Sequence, residues 1–196
     1  ARFAAVADGR FVSIAASDSG GALALDNAGR VWQLGAEGAL EVARLPGARA
    51  VAIAHRGGAA AVVGDGGVLA RSTDGGTTWT ADAARDPGLA LNAAWIGSDG
   101  GVLGVGDEGA MVTLSPAGAS RVDRITDVSL RALHLDGSGA GLIGGDGGTV
   151  LATDDAGESW RVLDLGLSAT RAVRGLDQLD GHGHWCRDGA APPASR

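Results

Sequence analysis

The residues with the most obvious chemical potential lie near the end of the chain, in the run Gly-His-Gly-His-Trp-Cys that finishes at Cys186. On an extended strand, positions i, i+2 and i+4 face one way. His182, His184 and Cys186 would then present two imidazole nitrogens and a thiolate, donors suited to zinc or copper. Three ligands so close on one strand seldom reach a single ion and no fourth is marked, so the expectation is no metal and no other cofactor, with these three as the only candidates. Acids number 23, and a pair of carboxylates could serve a glycoside hydrolase. Most of them, however, sit in Gly-rich turns, where aspartate is a turn former. His55 and His134 fall at different repeat positions and lack a serine or cysteine partner pattern. Lysine and tyrosine are absent, which removes Schiff-base chemistry, the phosphate-loop lysine and a tyrosine nucleophile.

Side chains of this kind need a frame, and repetition in the sequence supplies one. Self-comparison aligns segments starting at Ala22, Ala60, Leu103 and Leu142, each an apolar strand, a turn at an aspartate, and a second strand. The turn aspartates Asp26, Asp65, Asp107 and Asp146 are spaced by 39, 42 and 39 residues, and a weaker fifth copy from His184 leads to Asp188. A further strand precedes each copy, at Arg10, Arg49, Leu91, Leu130 and Thr170. The 35 glycines punctuate the chain too often for helices of ordinary length, so regularly spaced short strands are expected instead of alanine-rich helices. A repeat of about 40 residues with four antiparallel strands is the unit of a β-propeller blade.

The expected fold is therefore all-β: a β-propeller of about five four-stranded repeats. It forms a single domain over residues 1–189, with a Pro/Ala tail at 190–196. The last blade is incomplete, because the two prolines of the tail cannot donate to a sheet ladder. The N-terminal strand near Phe3–Val6 would close it by pairing with the last strands of the chain.

Two loops at one repeat phase carry a shared motif, Ser72–Trp79 and Thr153–Trp160, both fitting [ST]-x-D-x-G-x-[ST]-W. In them Asp74 and Asp155 would accept backbone N–H groups, and Gly76 and Gly157 would allow positive φ. Thr78 and Ser159 complete the motif, and Trp79 and Trp160 would cover the blade edge. The pattern Arg, apolar strand, V-G-D-x-G, strand and D-G-G-x-T-W is fullest from Arg49 to Trp79 and from Arg131 to Trp160. With these motifs the chain resembles the Asp-box or BNR-repeat propellers, and among them the photosystem II assembly and stability factor-like proteins, over residues 10 to 189. The resemblance implies a non-catalytic, extracytoplasmic propeller that binds proteins during assembly of membrane complexes. Sialidases carry the same boxes, but their tyrosine nucleophile has no counterpart here.

The charge balance, 16 arginines against 23 acids for a net −7, argues against a nucleic-acid partner. No apolar run reaches the roughly 18 residues of a membrane span. A start at Ala1 without methionine fits a processed export product or a piece of a longer chain, and a periplasmic or otherwise extracytoplasmic location is expected. Four repeats carry arginine where the first strand begins, at Arg10, Arg49, Arg131 and Arg171, with Asn92 in the remaining repeat. Repeated around an axis, these residues would form a ring that grips partner carboxylates, or else each would pair with a turn aspartate and stitch repeats together. The expected function is a non-catalytic accessory or assembly subunit binding protein partners. The alternatives are a carbohydrate-active hydrolase and a metal-binding accessory protein.

Overall fold

The structure, a computed structural model, describes residues 10–16, 20–45, 49–81, 88–166, 172–179 and 182–187, with side chains described as far as 176. Every regular element in them is a strand or a single 3-10 turn. The first sheet holds β1 (Phe11–Ala16), β2 (Ala22–Asp26), β3 (Arg30–Gly35) and β4 (Gly38–Arg44) in chain order. The second holds β5 (Arg49–Arg56), β6 (Ala59–Asp65), β7 (Leu69–Ser72) and β8 (Thr80–Ala81). The third holds β9 (Leu91–Ile96), β10 (Val102–Gly106), β11 (Ala110–Leu114) and β12 (Ser120–Arg124). The fourth holds β13 (Leu130–Leu135), β14 (Gly141–Gly145), β15 (Val150–Thr153) and β16 (Arg161–Val162), and a hairpin of β17 (Val173–Leu179) and β18 (His182–Arg187) follows. All pairings are antiparallel.

The sheets stack face to face, and the first strand of each packs on the first strand of the next, in the series β1, β5, β9, β13, β17. Among the described residues this series does not close into a ring. The proposed closing strand at Phe3–Val6, the turn at Asp188 and the tail at 190–196 lie outside the described residues. Four four-stranded sheets and one two-stranded hairpin are what the described residues contain, against an expectation of about five four-stranded repeats with the last one incomplete.

Burial on both faces explains the unbroken apolar runs. In β6, Ala60 and Val62 enter a core shared with Leu23, Leu25 and Val31 of the first sheet, whereas Ala61 and Val63 enter one shared with Leu91, Ile96 and Val112 of the third. Leu103 and Val105 of β10 meet Leu130, Ile143 and Leu151 of the fourth sheet in the next core. A strand with period-2 sidedness and two buried faces has no polar side to alternate with.

The V-G-D signature has a steric cause. A Cβ on Gly64 would lie 2.2 Å from the Arg49 carbonyl oxygen, and one on Gly106 would lie 1.9 Å from that of Ala90. Each glycine faces a bulge in the first strand, where the register skips Val51, Asn92 or Arg131. Only a residue without a side chain lets the two backbones approach this closely.

Candidate functional site

The repeated charged residues meet at the ends of the second strands. Arg131 donates from Nη2 to Asp146 Oδ2 at 2.7 Å and from Nη1 to Asp107 Oδ1 at 2.9 Å, so one guanidinium joins the turn aspartates of two neighbouring sheets. Asn92 Nδ2 donates to the same Asp107 Oδ1 at 2.9 Å and to the Leu130 carbonyl at 2.9 Å, crossing the same seam. The hydrogen bond from Arg131 holds the Asp146 carboxyl below its ordinary value, and the same bond raises the guanidinium's. Arg49 pairs with Asp65 at 3.1 Å but is 86% exposed. Arg10 is exposed and its N–H faces Asn27 Oδ1 at 3.4 Å. Arg171 lies outside the described residues.

Arg49 and Arg131 do not share one phase, which corrects the ring as drawn from the sequence. The carbonyls of Arg49, Ala90 and Ser129 occupy one structural position, against Gly64, Gly106 and Gly145. Arg131 is the bulged residue that follows it, in the place of Val51 and Asn92. Arg49 stands 16 residues before Asp65, whereas Asn92 and Arg131 stand 15 before Asp107 and Asp146, so only the latter two fall on the bulge.

In the first sheet the turn aspartate is fully buried, and its donors come from the turn and the strand after it. Asp26 accepts the backbone N–H groups of Ala28 and Arg30, the Arg30 Nε–H and the Trp32 indole N–H. Burial acts to raise the Asp26 pKa, but these donors together outweigh it and keep it lowered.

The two aspartate loops are near copies. Asp74 accepts from Ser72 Oγ at 2.8 Å, Thr78 N at 2.9 Å and Thr78 Oγ1 at 2.5 Å; Asp155 accepts from Thr153 Oγ1 at 2.7 Å, Ser159 N at 2.9 Å and Ser159 Oγ at 2.6 Å. The Thr78 and Ser159 hydroxyls are the main cause that draws both carboxyls down to about 2. Gly76 N donates to Ser72 Oγ, Gly157 N donates to Thr153 Oγ1, and each loop's tryptophan donates to its glycine carbonyl. Trp79 packs on the Leu23–Val62 core and Trp160 on the Leu103–Ile143 core, so each loop wedges against the sheet before its own.

Between the third and fourth sheets lies a cleft of about 650 Å³. Its floor is formed by buried Leu103, Met111 and Leu114 and its wall by Trp95, while Asp99, Asp136 and Glu158 stand along it. Arg56 sits over the Trp95 ring at 5.6 Å and reaches the Ile96 carbonyl at 3.4 Å, and the Trp95 indole N–H donates to the Leu135 carbonyl at 2.8 Å. Sequence reading missed this place because its charged and aromatic lining, Arg56, Trp95, Asp99, Asp136 and Glu158, comes from separate loops and strands with no shared motif. The backbone of His182, His184 and Cys186 lies on β18, and their side chains lie outside the described residues.

Comparison with protein-family models and with curated protein sequences gives no match. Among solved structures, a streptogramin B lyase is similar at 13% identity and a TM-score of 0.76, covering 88% of this chain. The chain spans 60% of that protein's length. A catalytically inactive virginiamycin B lyase from Staphylococcus aureus with quinupristin matches at 14% identity and a TM-score of 0.78, over 94% of this chain and 65% of that one. YCF48 bound to D1 peptide matches at 13% identity and a TM-score of 0.56, over 95% of this chain and 79% of that one. At such identities the likeness speaks to architecture alone, and together with the stacked four-stranded sheets it makes this chain similar to the β-propeller proteins.

Proposed function

We propose that this protein is a non-catalytic propeller module that binds a protein partner, as an accessory or assembly subunit of an extracytoplasmic or membrane-associated complex. The observation that carries this reading is the cleft between the third and fourth sheets. It combines an apolar floor with a charged rim, and its Trp95 wall is fixed by a hydrogen bond to the Leu135 carbonyl of the fourth sheet. Concave sites of this make-up take ligand segments without reorganising. The likeness to YCF48 bound to D1 peptide supports a peptide as occupant. Immobilised protein should retain one partner from the native membrane fraction, and the purified partner should then bind in a stoichiometric complex. Failure of the purified pair to associate would remove the reading.

A second reading, an enzyme, draws on the lyase likenesses and on the carboxylates of the cleft. Asp99 and Asp136, however, accept hydrogen bonds from Gly101 N and Ser138 N in their own turns, the ordinary work of turn aspartates. Turnover of a streptogramin B or of glycosides by the purified protein, lost in Glu158→Gln, would favour the enzyme over the binding module.

A further inference from the structure

The gap between the second and third sheets is crossed by one of the protein's own arginines. Arg71 of β7 reaches the turn between β11 and β12 and donates from Nη1 to the carbonyls of Ser115 at 3.2 Å and Pro116 at 2.9 Å. In the third sheet the corresponding position is Thr113. Arg71 pairs with Ala61 and Thr113 with Leu103, at matching distances before the turn aspartates Asp65 and Asp107. Thr113 is exposed and lines the cleft between the third and fourth sheets. Its hydroxyl sits on Cβ, so it cannot span a distance that a guanidinium on three methylenes spans. The cleft is therefore the place where a bridging arginine is replaced by a short residue.

The chemistry of the cleft suits the side chain that Thr113 does not supply. The floor of Leu103, Met111 and Leu114 is a bed for a methylene stem, and the carboxylates stand where a charged head would emerge. Two guanidiniums also line it: Arg121 is paired with Asp123 at 2.7 Å, whereas Arg56 is held by the Trp95 ring and the Ile96 carbonyl, neutral partners that leave its charge, so three carboxylates face one such guanidinium. Asp99 is bonded by a neutral N–H, which leaves its charge, and the Glu158 carboxylate meets no donor among the described residues. A carboxylate rim of this kind matches the planar fork of a guanidinium better than the point charge of an ammonium.

We propose that this cleft is a subsite for an arginine side chain of the partner protein, which occupies between the third and fourth sheets the place Arg71 occupies between the second and third. The inference rests on the binding-module reading and names the chemistry of the partner segment.

The probe is the capped tripeptide Leu-Arg-Leu, compared with its citrulline and lysine counterparts by NMR titration and by indole fluorescence. The arginine peptide should bind roughly tenfold more tightly than the citrulline peptide, the ratio expected for losing a hydrogen bond to a charged group. Glu158→Gln should weaken it about fivefold or more on the same ground. Thr113→Arg should fill the cleft from within, abolish binding and leave the melting temperature unchanged or higher. Glu158→Lys, on the exposed rim, is a second blocking variant should the first fail to fold. Equal binding of the arginine and citrulline peptides, or undiminished binding by a folded blocked variant, overturns the subsite. Equal binding of the lysine peptide overturns the assignment to guanidinium. If the blocked variants keep the purified partner while losing the tripeptide, the cleft is not where the partner docks, yet the binding-module reading survives. If the tripeptide binds and no protein partner does, the subsite stands without that reading.

Discussion

Asp74 and Asp155 owe their low pKa values to short loops that aim hydroxyl and amide donors at one carboxylate. Both fall from 3.8 to about 2, so each favours the folded state while ionised. The sign follows: an unfolded chain takes up the proton near the ordinary value, and the folded chain takes it up only near 2. Their stabilisation is complete above about pH 4 and is lost as the pH falls from about 4 to 2. Melting temperature against pH should drop over that window, and the drop should be shallower in the double variant Asp74→Asn with Asp155→Asn. An identical slope in the variant would assign acid sensitivity to other carboxylates.

At the scale of elements, loops and seams join sheets in pairs. Gly76 has φ +93°, and a Cβ there would lie 2.7 Å from a Leu23 methyl of the preceding sheet, so Gly76→Ala brings strain and a clash together. Trp79→Ala removes the wedge over the same core and should cost roughly 2–4 kcal/mol, below the full value for a buried aromatic because the ring is half-exposed; urea unfolding measures it. The arginines divide by burial. Arg131→Gln leaves Asp107 and Asp146 without their common donor and should cost about 1–3 kcal/mol. Arg49→Gln touches a largely exposed pair and should change stability by about 0.5 kcal/mol or less. Equal losses at the two positions would contradict the register that puts Arg131, and not Arg49, in the bulge.

Across the described residues the second and third sheets each contribute to two cores, which ties the four sheets into one cooperative unit. Leu91 is fully buried in the core between the second and third sheets. Leu91→Ala should cost roughly 2–5 kcal/mol while keeping a single unfolding transition. Two transitions, resolved by tryptophan fluorescence and far-ultraviolet circular dichroism, would mean that the sheets on either side of this core unfold independently.

Much of this architecture can be read from the chain because its signals are local and repeated. The aspartate spacing, the glycine before Asp65, Asp107 and Asp146 and the two full loop motifs depend on contacts within one hairpin or between adjacent ones, and repetition reinforces each signal. The pairing of Arg131 with two turn aspartates belonged to one of the two readings the arginines allowed. Tertiary structure alone decided the rest. The bulge recurs at Val51, Asn92 and Arg131, and it is the register there that puts Arg131 in the seam and leaves Arg49, one residue further from its turn aspartate, outside it. The cleft arises from a difference between repeats, Thr113 where another sheet has Arg71, and it takes shape only where two sheets meet and a side chain either spans the gap or falls short.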